Sequence, residues 1–223
     1  MNVKQLKSLF KGGAIVAASA AAVLAIPVGP ASALVDYTVT SGGGTNAVTA
    51  TNVGNLVFED TFLGPLGTAG NPSMTCSTLS TSGTVNPGGH AFGDAAGQVT
   101  PSSGDLTGCT NPVVNTVTIT PSGTWSLVVT GKTGTGATGY LDGVAVHLYG
   151  TAGGETCEAD ATGRLYGTYT NSTGNLVIDS SKEALVISNG TQTAGLCDTV
   201  GIFDDDPATG AGTIHLSPVP TIS

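Results

Sequence analysis

Apolar and polar positions alternate through the middle of the chain. Val117 and Ile119 sit among Thr116, Thr118 and Thr120, Pro121-Ser122-Gly123 turns the chain, and Trp125-Ser126-Leu127-Val128-Val129 follows. Period-two alternation on both sides of a turn predicts a β-hairpin. The next stretch, 131–139 (GKTGTGATG), has no apolar side chain apart from Ala137 and reads as a glycine-rich loop. It leads into Tyr140–Tyr149, where period two places Val144, Val146 and Leu148 on one face and Leu141, Ala145, His147 and Tyr149 on the other. Further strands are expected over 163–169, 175–178 and 185–188, with turns at Asn171–Gly174 and Asn189-Gly190. Others are expected at 35–40, 46–51, 56–59 and 212–216.

Strands recurring at this spacing with turns between them predict an all-β fold, an antiparallel β-sandwich or jelly roll, with a closed barrel the less favoured alternative. The Gly/Ser/Thr/Pro-rich segment 64–108 has few consecutive apolar residues and is read as a loop-rich excursion within a single domain spanning 34–223. Cutting the chain there would leave 34–63, too short for its own core. Ahead of the domain, Lys4, Lys7 and Lys11 precede an apolar run of 14–26 and the small-residue stretch Pro30-Ala31-Ser32-Ala33. That order predicts a signal peptide over 1–33, cleaved after Ala33. Pro27 and Pro30 interrupt the run short of the roughly 20 apolar residues a membrane helix needs, so no integral membrane segment is expected in the mature chain.

The leader holds half of the six basic residues. Its removal leaves Lys132, Arg164 and Lys182 against fifteen acidic residues, a net charge of −12 instead of −9. Such a surface repels phosphate backbones and anionic headgroups, so nucleic acid is excluded as a partner class. Four cysteines, Cys76, Cys109, Cys157 and Cys197, include no Cys-x-x-Cys pair, and in an exported chain they predict two disulfides. Three connectivities are formally possible, and pairing neighbours along the chain favours Cys76 with Cys109 and Cys157 with Cys197. By loop entropy each contributes roughly 4 kcal/mol.

The run 116–131, the Gly-x-Leu-x-Gly-x-Tyr stretch from Gly163 to Tyr169, the four cysteines and the terminal Leu216-Ser217-Pro218 together resemble a group of small exported proteins of actinobacteria. The resemblance covers the second half of the mature chain. It implies export and an all-β fold, and brings no activity or site residues.

Catalytic signatures are absent from the sequence: no Gly-x-Ser-x-Gly, no His-Glu-x-x-His and no Cys-x-x-Cys. Gly131-Lys132-Thr133 fails as a phosphate-binding loop because Ser126 stands where its first glycine belongs. His147 is expected to be a hydrogen-bonded sheet residue, and His90 and His215 have no carboxylate at a spacing that implies a triad. Asp204-Asp205-Asp206, close after Asp198, form the one candidate Ca²⁺ site, since packed like charges invite a cation. Ala208 and Thr209 break the EF-hand pattern, and a solvated acidic turn is the favoured reading.

Around Cys157, extended chain would place Glu158 and Asp160 on one face and Glu155 on the other. Trp125 shares parity with Leu127 and Val129 and is expected in the core. Tyr166 and Tyr169, like Tyr140 and Tyr149, fall on opposite faces, so no aromatic stripe is predicted. The chain is therefore expected to be a secreted or cell-surface structural or interaction protein, non-catalytic and without a cofactor unless Ca²⁺ binds. Self-association or a cell-envelope component would be its partner. The alternative is an extracellular binding module for envelope glycan or another ligand, with recognition on loops such as 131–139 or 64–108.

Overall fold

The computed structural model describes residues 35–60, 73–112, 114, 116–179, 181–182, 184–192, 196–197 and 202–223. Residues 1–33, the expected signal peptide, lie outside them. In chain order the strands are β1 (Tyr37–Thr40), β2 (Ala47–Asn52), β3 (Leu56–Asp60), β4 (Ser73–Val85) and β5 (Gly88–His90). They continue with β6 (Ala95–Val99), β7 (Leu106–Thr110), β8 (Thr116–Ser122), β9 (Trp125–Thr133) and β10 (Gly136–Ala152). The last are β11 (Glu155–Thr170), β12 (Asn175–Ile178), β13 (Leu185–Gln192), β14 (Pro207–Ser217) and β15 (Thr221–Ile222). No helix among the described residues is long and apolar enough to cross a membrane.

Every ladder is antiparallel, and the fold is the all-β sandwich that the alternation predicts, with a feature local patterning does not carry. Four long strands, β4, β10, β11 and β14, run through both ends of the fold, and short strands lie end to end between them. Towards one end the pairing runs from β14 through β2, β4, β6, β9, β10, β11 and β12 and returns to β14. The two layers are thus joined along both edges, and this ring leaves no unpaired strand edge. Towards the other end, β14–β3–β4–β7 forms one run and β8–β10–β11–β13–β14 the other, with β7 beside β8.

Period two explains the core. In β10, β11 and β14 the inward positions include Val144, Val146, Leu148, Ala159, Ala161, Leu165 and Ile214, all buried, while Thr162, Arg164 and Thr168 face solvent. Burying one such Val or Leu contributes about 1.5–3 kcal/mol. Trp125 is 3 % exposed, and its indole N–H donates to the Ser122 carbonyl at 3.0 Å, as its parity implies. A Cβ at Gly139 would lie 2.0 Å from the Val128 carbonyl oxygen, so close approach of β9 requires glycine there.

Two segments differ from expectation. The supposed loop-rich excursion 64–108 carries β4, β5, β6 and most of β7. Its alternation is masked because Ser77 and Thr78 are both exposed, which shifts the inward set from Met74 and Cys76 to Leu79, Thr81 and Val85. The glycine-rich stretch 131–139 is also mostly strand. β9 continues to Thr133, a two-residue turn at Gly134-Thr135 follows, and β10 begins at Gly136.

The disulfides join Cys76 to Cys109 and Cys157 to Cys197, the neighbour pairing. The first bridges directly opposed residues of β4 and β7. A separate three-stranded sheet, β15–β1–β5, is fastened to the ring. Tyr169 donates its hydroxyl to the Pro220 carbonyl at 2.7 Å, and the Asn171 amide both donates to and accepts from the backbone of Ile222 at 2.8 Å.

Candidate functional site

The β10–β11 hairpin gathers Tyr140, Tyr149, Tyr166 and several charged side chains on one solvent face, because of a single bulge. The register slips between Leu141 and Val144, where Gly143 takes φ +71°. One extra residue inverts parity. Leu141 and Val144, three apart, therefore both point inward, whereas Tyr140, His147 and Tyr149 all lie on the outer side. Sequence alternation had separated Tyr140 from Tyr149 and grouped Leu141 with His147, and the bulge corrects both.

Opposite Tyr140 in the ladder stands Tyr166, their ring centroids 5.4 Å apart and tilted by 59°. Arg164 reaches across, with its guanidinium carbon 4.5 Å from the centre of the Tyr140 ring. Its Nε donates to Asp142 Oδ1 at 2.6 Å. Hydrogen bonding to Asp142 first and to Tyr166 second holds the guanidinium still further above its ordinary pKa. Val128, across from Tyr140 on β9, is only 6 % exposed although it lies outside the central core cluster, which supplies an apolar floor beside the rings. Flat aromatic faces beside a charge-assisted donor–acceptor pair form a surface that can take apolar ring faces and orient hydroxyl groups.

Roughly 20 Å further along the strand, at about 3.3 Å per residue, lies a second group. His147 Nδ1–H donates to Asp160 Oδ1 at 2.8 Å, and Nε2 stands 3.9 Å from Glu158 Oε2. The expected hydrogen-bonded sheet histidine is thus present, with the register His147–Asp160 and Tyr149–Glu158 supplying its partners. A carboxylate that orients an imidazole supplies two of the three members of a hydrolytic triad, but Nε2 faces a second carboxylate where a nucleophilic hydroxyl would have to stand.

The other candidates are dispersed. Asp204 and Asp205 are exposed, whereas Asp206 is 6 % exposed and accepts from the Phe203 backbone N–H at 3.2 Å, closing the turn. Asp198 lies outside the described residues. Among the described residues no group of three or more His, Cys, Asp or Glu side chains is placed to hold a metal ion. His90 stacks on Tyr37 at 5.2 Å with Nε2 2.8 Å from the Asn86 carbonyl, and His215 Nδ1 is 3.1 Å from Asn175 Oδ1. Glu158 and Asp160 share the outer face as their spacing implies, while Cys157 points into the core. The residues that alternation missed are Tyr140, Tyr166 and Arg164 as a group. The available signal was Asp142-Gly143, a turn-type dipeptide inside a strand.

No protein-family model matches the chain, and comparison with curated proteins and with solved structures returns no match.

Proposed function

We propose that the protein is an exported, non-catalytic binding module of the cell surface or surrounding medium, and that the outer face of β10–β11 takes a glycan of the cell envelope. The observation that carries this reading is the Tyr140–Tyr166 pair braced by Arg164 and Asp142. Sugar rings offer apolar C–H faces that pack on aromatic side chains and hydroxyls that pair with charged donors and acceptors. Export is supported by the leader pattern and by two disulfides in a chain with no free cysteine among the described residues. The excess of carboxylates favours neutral or cationic glycans over phosphate-rich ones.

The test is co-sedimentation of the purified protein with insoluble envelope fractions and a panel of polysaccharides. Saturable pull-down is expected, weakened about fivefold or more in Tyr166→Ala, since an aromatic contact contributes roughly 1 kcal/mol beyond area burial. Lys132→Ala, exposed and away from this face, is expected to bind as the parent does. A structural or self-associating role is the second reading, favoured by the exposed Val177 and Val186 on β12 and β13, side-chain contacts being the route left where the ring offers no strand edge. Protein remaining in the supernatant while sedimentation velocity shows oligomers would establish that reading instead.

A further inference from the structure

Inside the closed ring lies a cavity of about 40 Å³ whose walls are apolar except at one point. Ala50, Leu79, Trp125, Leu127 and Leu216 line it, and so does Thr81. Thr81 is 4 % exposed, and its hydroxyl is a buried polar side-chain atom with no hydrogen-bond partner. Valine would fill the same β-branched volume at this inward position of β4 without burying an unpaired donor. The hydroxyl therefore serves no packing purpose. Thr84 and Gln98 of β4 and β6 also border the space, but both are exposed and on the outer parity of their strands, so Thr81 is the polar side chain directed inward.

We propose that this cavity is a binding site for a short aliphatic molecule carrying one hydrogen-bonding oxygen, such as a short-chain alcohol. One water takes about 10–15 Å³ on the same measure, so the space suits three or four heavy atoms. The alkyl part replaces no polar contact, and the ligand oxygen satisfies Thr81. A molecule with several hydroxyls is rejected, because the walls offer partners for only one. This site is separate from the β10–β11 face and does not depend on the glycan reading.

Trp125 is the only tryptophan of the chain and lines the cavity, so its emission reports occupancy directly. Titration of the purified protein with 1-propanol is expected to give a saturable spectral shift, whereas glycerol at matched concentration gives none. In Thr81→Val the affinity for 1-propanol falls about two- to tenfold, while binding of xenon, which needs no hydrogen bond, is retained. A shift that rises linearly without saturating, or one that glycerol reproduces, overturns the proposal. So does equal loss of 1-propanol and xenon in Thr81→Val with an unchanged melting curve. The titration of the parent protein decides the matter even where that variant does not fold.

Discussion

Tyr37 shows how one buried phenol ties stability to pH. Its ring stacks with those of His90 and Phe92, at 5.2 and 6.1 Å, and its hydroxyl donates to the Asp94 carbonyl at 2.8 Å. Burial, followed by the nearby Asp94 carboxylate, raises its pKa to about 12. The unfolded phenol ionises near pH 10. Above that pH the unfolded chain gives up a proton that the folded chain retains, so stability is intact below pH 10 and falls as pH rises towards 12. Tyr169, also buried and bonded to Pro220, shifts in the same direction. The melting temperature is expected to drop across this alkaline window, with a shallower slope in Tyr37→Phe. A flat profile would mean that solvent reaches the phenol in the folded state.

At the scale of the element, the outer face of β10–β11 hangs on one glycine. A Cβ at position 143 would meet the Thr124 carbonyl oxygen at 2.8 Å, and φ +71° is costly for any L side chain. Gly143→Ala is expected to destabilise the protein by about 1–3 kcal/mol, read as a lower urea midpoint, and to weaken glycan pull-down because the rings lose their alignment. Ala145→Ser, half-buried on the outer face two residues on, is expected to change neither. β8 and β12 were legible because their apolar positions recur at period two without competition, and so were the 163–169 part of β11 and the course, though not the facing, of β10. β4 was not, because Thr81 and Gly83 occupy its inward face and the parity shift at Ser77 and Thr78 scrambles what remains. The face itself was illegible for a related reason: a single inserted residue reassigns every side chain beyond it, and alternation read without the bulge gives the opposite answer.

For the whole molecule, pairing between strands distant in sequence is what joins the layers. β2 with β14 and β6 with β9 leave no local mark, which is why a closed ladder could be entertained but not chosen from the pattern. The cysteines were more readable, since chain proximity alone favoured the pairs that form. Each closes a long stretch, with separations of 33 and 40 residues. Replacing either pair by alanine is expected to cost roughly 3–4 kcal/mol in chemical denaturation. A much smaller loss at Cys76/Cys109 would show that the β4–β7 ladder holds its register unaided.

The small sheet adds a mechanical consequence. In it β1 pairs antiparallel with β15, Val39 opposite Ile222, and Thr38 exchanges both backbone hydrogen bonds with Ser223. The chain therefore enters β1 and leaves β15 on the same side of that ladder. Tension applied between the two ends loads its hydrogen bonds one after another, as in a zip, instead of all at once in shear. β1 and β15 would peel apart at low force before any load reaches β2 and β14, the ring strands that follow and precede them in the chain.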